Sequence, residues 1–198
     1  MHIQGKKITT IISDLDGTLL GDKKDLNPAL LSVIGELERK GVSFVAASGR
    51  QYKNMRLMFE PLAKGLPFIC ENGSLVVKDD KTLYSRCIPR ELAFELIADM
   101  MAVPGAEMIV SSDRELYALA YKEDFIRQMN AFLKPEVLTV ADFGEVTGEI
   151  NKVSIWWPQG IPQKEEAWFH EKYDGRLLAT DSGNGWLDFT REGVNKGA

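Results

Sequence analysis

Residues 11–20 read IISDLDGTLL, and the fold follows from this stretch. The apolar run over residues 8–13, ITTIIS, has the make-up of a buried strand. It delivers two carboxylates, Asp14 and Asp16, to its C-terminal end, where Gly17 and Thr18 turn the chain away. In open parallel α/β sheets that end is where ligands bind. Alternate residues of an extended segment point the same way, so Asp14 and Asp16 can work on one reacting group. Two carboxylates this close repel unless a cation or a proton lies between them. A divalent metal that prefers oxygen ligands is the simplest solution. Asp, Gly and Thr are ordinary turn residues as well, but DLDGTLL as a whole is far more specific than a bare Asp-x-Asp.

Working outward, Asn27 reads as the cap of a helix with Pro28 at its first position, and Leu26 and Leu31 are spaced as a hydrophobic staple. Leu30, Val33, Ile34 and Leu37 form its apolar stripe, and Gly41 closes it. Residues 42–47, VSFVAA, read as a second buried strand ending in Ser48-Gly49-Arg50. A helix over about residues 51–59 follows, stopped by Pro61. The third strand covers residues 67–70 and ends in Glu71-Asn72-Gly73. Three strands with helical crossovers imply a parallel, right-handed sheet, so the expected class is α/β with a doubly wound, Rossmann-like core. Each strand ends in small polar residues. Ser48 offers a hydroxyl and Gly49 an unobstructed backbone N–H at a helix start, a natural phosphate seat. A plain strand-to-helix turn would use the same two residues. Gly73 suits a tight turn at positive φ.

From about residue 75 to 185 the texture changes to short strands and helices. Residues 76–78 and 82–86 flank Asp79-Asp80-Lys81 as a hairpin. A helix from Pro89 carries Leu92, Leu96, Ile97 and Met100 on one face. Residues 108–110 and 116–121 make a second hairpin. A further helix carries Phe125, Ile126, Met129, Phe132 and Leu133, and Val153, Ile155 and Trp157 alternate along a strand. A helix over residues 162–172 and strands near 177–179 and 186–189 close the segment. The Met and aromatic stripes are core positions. The expected organisation is a core formed by residues 1–75 and 185–198, with residues 76–184 inserted as an α+β cap, an antiparallel sheet with helices on one face. Gly183 and Gly185 suit a hinge at the second connection.

With 198 residues, 44% hydrophobic and 27% charged, the chain has the composition of a globular protein with a sizeable core. A net charge of -5 argues against a nucleic-acid binder. No apolar stretch is long enough to span a bilayer, and the N-terminal residues lack a signal-peptide core, so no membrane association and a cytoplasmic location are expected. Cys70 and Cys87 form neither a metal spacing nor a disulfide framework. His2 and His170 are the only histidines, and His170 lies on a charge-rich helix, which argues against histidine catalysis.

DLDGTLL resembles the first motif of the haloacid dehalogenase-like phosphohydrolases, in particular their Cof-type sugar-phosphate phosphatases. ASGRQY and ENG resemble further signatures of that group. The resemblance implies that Asp14 is a nucleophile that becomes an aspartyl phosphate and Asp16 the general acid/base. Mg²⁺ would be held by the Asp14 carboxylate and the Asp16 backbone carbonyl. It implies that Ser48, with Gly49 and Arg50, binds the transferring phosphoryl group, and that Asn72 lies beside the substrate. EGVNKGA resembles the third motif, whose lysine, here Lys196, contacts phosphate and steadies the nucleophile. Asp188 is expected as a structural partner in the strand before it. A cap of this kind closes over the active site and selects the substrate. The fourth motif of the family, Gly-Asp-x-x-Asn-Asp, is absent, so the sequence resembles a member truncated before that motif. Weak Mg²⁺ binding and self-association through an exposed flank of the first strand are then expected.

Three functions follow. The first is a Mg²⁺-dependent phosphatase of a small phosphomonoester such as a sugar phosphate. The second is a non-catalytic relative that binds phosphorylated ligands without turnover. The third, a nucleotide- or flavin-binding protein, is disfavoured because no GxGxxG follows the first strand.

Overall fold

The structure, a computed structural model, describes residues 2–3, 5–21, 25–60, 62–132 and 136–197. Pro61, read above as a helix stop, and Leu133, read as part of an apolar stripe, lie outside the described residues.

The first sheet is built from β1 (Thr10–Asp14), β2 (Ser43–Ala47), β3 (Pro67–Cys70), β4 (Leu75–Lys78) and β5 (Lys81–Ser85), in that spatial order. β1, β2 and β3 run parallel, with α1 (Pro28–Arg39) and α2 (Tyr52–Met58) in the two crossovers. The expected α/β class with a parallel core sheet is therefore present. Asn27 caps α1 by accepting from the Ala29 amide at 2.9 Å, with Pro28 at the first position. Gln51 caps α2 in the same manner, accepting from Lys53 at 2.8 Å. Ile34, Phe44, Met55, Phe59 and Phe68 share one core with Leu15. The Phe59 ring meets Phe68 edge-on at 5.6 Å. The composition of β1 suits burial, but it occupies an edge among the described strands, with Ile12 58% exposed, in line with the exposed flank expected for it.

The second sheet holds β6 (Glu107–Ser112), β7 (Leu116–Leu119), β8 (Leu138–Val140), β9 (Ile150–Trp156), β10 (Leu177–Gly183) and β11 (Trp186–Arg191). Its order is β8-β7-β6-β9-β11-β10, and every pairing is antiparallel except β7 with β8. Strand phase divides its faces. Val153, Ile155, Leu187 and Phe189 enter the core under α3 (Arg90–Met101) and α5 (Gln163–Tyr173). The opposite face receives Phe125 and Met129 of α4 (Glu123–Phe132), packed on Ile109 and Leu116. Helices therefore cover both faces, not one as expected, because α4 has an apolar stripe of its own to bury.

Sheet pairing also moves two segments. The hairpin β4–β5, expected in the inserted unit, is hydrogen-bonded to β3 and extends the first sheet. Its turn places Asp79 and Asp80 at φ 51° and 59°, the left-handed pair that matches strand twist in a two-residue loop. Trp186–Arg191, placed in the core unit by the expected boundary at residue 185 although its strand was also read as closing the inserted segment, lies between β9 and β10 of the second sheet. The short, alternating runs of both segments are compatible with either sheet, so their period does not decide between them.

Both cysteines are free. Burial pushes the Cys87 thiol up to about 12, helped by its hydrogen bond to Glu149. Burial raises Cys70 further still. Native protein at pH 8 is therefore expected to react with iodoacetamide about a thousandfold more slowly than an ordinary cysteine, since only the thiolate attacks; rapid labelling of Cys87 would contradict this placement. In the aromatic core, Phe68→Ala should lower the unfolding free energy by about 3–5 kcal/mol, read from urea denaturation.

Candidate active site

The turn after β1 is wound around one carbonyl. The amides of Thr18, Leu19 and Leu20 all point to the Leu15 oxygen, at 3.2, 2.9 and 2.9 Å. Gly17 takes φ 77° within it. The Leu15 side chain is completely buried, which anchors the turn and leaves Asp14 and Asp16 on the accessible side. Each carboxylate faces a cation. Lys196 Nζ donates to Asp14 Oδ1 at 2.6 Å. Arg50 forks onto Asp16, Nη2 to Oδ1 at 2.7 Å and Nε to Oδ2 at 3.0 Å. Such a fork fixes a carboxylate's plane as well as its charge.

Ser48 and Arg50 belong to the loop leaving β2. Ser48 Oγ donates to Asp16 Oδ2 at 3.4 Å and accepts from the Arg50 amide at 3.2 Å. Arg50 Nη1 also reaches Asn54 Oδ1 on α2, at 3.3 Å. The loop leaving β3 is tied to this one by main-chain bonds: Glu71 N to Arg50 O at 3.1 Å and Asn72 N to Ser48 O at 3.2 Å. Glu71 and Asn72 adopt φ 47° and 59°, left-handed values that a glutamate rarely takes. Gly49 and Gly73 are required by close approach. A Cβ on Gly49 would stand 2.6 Å from Asn72 Oδ1. One on Gly73, at φ 104°, would stand 2.3 Å from the Asn195 carbonyl oxygen. The glycine of ENG is thus what lets the lysine loop approach. The structure brings together every residue singled out in the sequence, namely Asp14, Asp16, Ser48, Gly49, Arg50, Asn72 and Lys196, as three strand-end loops and one loop from residues 192–197.

One participant was missed. Lys152, on β9, crosses to the first unit and donates to the Gly49 carbonyl at 2.8 Å. Its Nζ also lies 2.9 Å from Glu71 Oε2 and 3.3 Å from Asp188 Oδ2. Burial works against the Lys152 charge, but Asp188 and Glu71 outweigh it and push the ammonium up, so it stays charged. Burial pushes the Glu71 carboxyl up, and Lys152 pulls it back. Asp188 is held by Ser154 Oγ at 2.6 Å and Ser182 Oγ at 2.9 Å. The signal was present in the phase of NKVSIWW. If Val153, Ile155 and Trp157 face one way, then Lys152 and Ser154 face the other.

The strands β1, β2 and β3 thus gather two carboxylates, a hydroxyl and a guanidinium at their carboxyl ends, with the Lys196 ammonium brought to the same place, in an α/β protein. The family model of haloacid dehalogenase-like hydrolases matches residues 11–198, and the chain belongs to that family. It is 26% identical over 191 residues to the Escherichia coli 5-amino-6-(5-phospho-D-ribitylamino)uracil phosphatase YbjI, covering 96% of this chain and 70% of that protein. It is 24% identical over 207 residues to the E. coli pyridoxal phosphate phosphatase YbhA, covering 94% and 72%. A solved structure from Streptococcus mutans superposes with a TM-score of 0.79 at 24% identity, over 96% of this chain and 73% of that one.

Gly73→Ala tests the close approach. The added methyl should displace the Asn195–Lys196 backbone and separate Lys196 from Asp14; a crystal structure of the variant with that ion pair intact would refute the assigned contact.

Proposed function

We propose that the protein is a Mg²⁺-dependent phosphatase acting on a small phosphomonoester of the sugar-phosphate kind, through an aspartyl phosphate on Asp14. The observation that carries this reading is the pairing of Lys196 with Asp14 across 182 residues of sequence, within a family of hydrolases. A carboxylate attacking an anionic phosphate ester needs a nearby cation, and Lys196 supplies one. Asp14 attacks phosphorus in line with the ester oxygen, the P–O bond to the leaving group breaks, and Asp16 in its acid form protonates the departing alkoxide. A water molecule, deprotonated by Asp16, then attacks the acyl phosphate and releases orthophosphate, returning Asp14. Ser48, Gly49 and Arg50 hold the non-bridging oxygens. Arg50 forks onto Asp16 in the free protein, and a bound phosphoryl group competes for the same donors. Asn72 stands against Gly49, where it contacts the bound ester.

The metal is supported by donor chemistry alone. Asp14 and Asp16 offer hard oxygen atoms, which suit Mg²⁺, although among the described residues no three His, Cys, Asp or Glu side chains form a cluster able to hold an ion. Two protein oxygens fit Mg²⁺ when water and phosphate oxygens complete the sphere. When bound, the ion offsets charge developing on the transferring group. The second unit serves as the substrate-selecting cap, since its Lys152 already touches the loop that seats phosphate. The relatives named above for a phosphoribityl and a pyridoxal phosphate substrate support a small phosphorylated metabolite. Two free thiols accord with the cytoplasm, and no helix among the described residues is long and apolar enough to cross a membrane.

Phosphate release from a panel of phosphorylated sugars and cofactors is the test. Activity should require added Mg²⁺ and vanish with a chelator. Asp14→Asn should reduce turnover to background, and Asp16→Asn should cost about 10²–10⁴-fold. Full turnover by Asp14→Asn would eliminate the covalent route, and an inert wild type would eliminate the phosphatase.

A further inference from the structure

Glu71 presents a physical problem. It is 1% exposed, its main chain is left-handed at φ 47°, and its carboxylate has been taken out of water. Non-glycine residues in such conformations are strained and persist only where their surroundings over-determine them. Within its own unit, Glu71 is held through its amide by the Arg50 carbonyl. The cation facing its carboxylate comes from the other sheet. Lys152 Nζ reaches Glu71 Oε2 and the Gly49 carbonyl together, at 2.9 and 2.8 Å.

The Gly49–Arg50 peptide is therefore gripped at both ends. Its carbonyl accepts from Lys152, and its N–H donates to Ser48 Oγ at 3.2 Å. The two groups of a trans peptide point in opposite directions, so fixing one aims the other. Ser48 Oγ, occupied as an acceptor by that N–H, has its own proton free to turn to Asp16 Oδ2, at 3.4 Å. A single line of donors and acceptors thus runs from β9 in the second unit to the general acid/base of the first. We propose that Lys152 is a positioning residue of the active site. It clamps the second unit onto the loops at residues 48–50 and 71–73, and by orienting the Gly49–Arg50 peptide it sets the direction of the Ser48 hydroxyl toward phosphate and Asp16.

Its consequence for turnover rests on the phosphatase reading, whereas the clamp itself does not, so two readouts are needed. The first is amide hydrogen exchange. Lys152→Met should raise exchange at Arg50, Glu71 and Asn72 at least tenfold while leaving β2 and β11 unchanged. The second is steady-state kinetics with esters that share phosphate and differ in leaving group. A residue that aims the phosphate seat lowers kcat/KM by the same factor for every ester and weakens inhibition by inorganic phosphate in parallel. A residue touching the leaving group gives losses that differ between esters. Lys152→Arg, which keeps a donor and charge, should recover part of both readouts.

Removing one partner of a buried pair can unfold a protein, so Lys152→Met/Glu71→Gln/Asp188→Asn, in which the ammonium and both carboxylates paired with it are gone, serves as the second variant. It should fold and show the same loosening at Arg50. Unchanged exchange in either folded variant, or ester-dependent losses, would overturn the proposal. So would a wild-type protein whose Arg50 and Asn72 amides exchange at the rate of an open loop. Altered exchange in a protein that hydrolyses no ester would leave the clamp standing and remove the phosphatase reading instead.

Discussion

Carboxylates crowded at the end of a sheet must be neutralised, and this requirement governs how the chain is arranged around its site. Asp14 is answered by Lys196, Asp16 by Arg50, and Glu71 with Asp188 by Lys152. Each cation comes from a different part of the sequence: the loop after β11, the loop after β2, and the middle of β9. None of these partners is a neighbour of its acid in the chain, so the charges can only be balanced once both sheets and the final loop are in place.

Main-chain packing makes that arrangement narrow. The β3 loop donates two backbone hydrogen bonds to the β2 loop, and Gly73 admits the Asn195 carbonyl at a distance no side chain would tolerate. Glu71, Asn72 and Gly73 all take positive φ in succession. Glycine and asparagine adopt that conformation readily, but glutamate does not. The residue whose backbone suits the turn least is also the one whose side chain is buried against Lys152, at 2.9 Å.

Much of this was legible beforehand because it is local. The strand–turn signature at residues 11–20, the capped α1, and the polar ends of β2 and β3 each depend on neighbours within a few residues. The same logic singled out Asp14, Asp16 and Ser48, whereas Asn72 and Lys196 were singled out through the resemblance of ENG and EGVNKGA to family motifs. What escaped was non-local. The hairpin β4–β5 and strand β11 are short segments whose period of two says which face is apolar, but not which sheet accepts them. The α4 stripe was visible, yet nothing in it said that it covers the face opposite α3 and α5. Lys152 was passed over because a lone lysine between apolar residues ordinarily points to solvent. Only the register of β9 against β11, which sets Ser154 opposite Asp188 and Lys152 opposite Thr190, shows that this face is covered.

Exposure separates the roles of the three ion pairs. Asp14 and Lys196 have side chains 36% and 40% exposed, and pairs that open to water contribute about 0–1 kcal/mol. Stability is a poor reason for such a contact, whereas an accessible carboxylate held beside a cation suits a group that must react with an anion. The Lys152 pair is the reverse case, with 12% and 1% exposed, and breaking a pair of that kind costs about 3–5 kcal/mol. It lies beyond the reach of bulk solvent but one peptide group away from Ser48. The open pair is thus placed to meet ligand, and the closed pair to hold still the loop that the ligand meets.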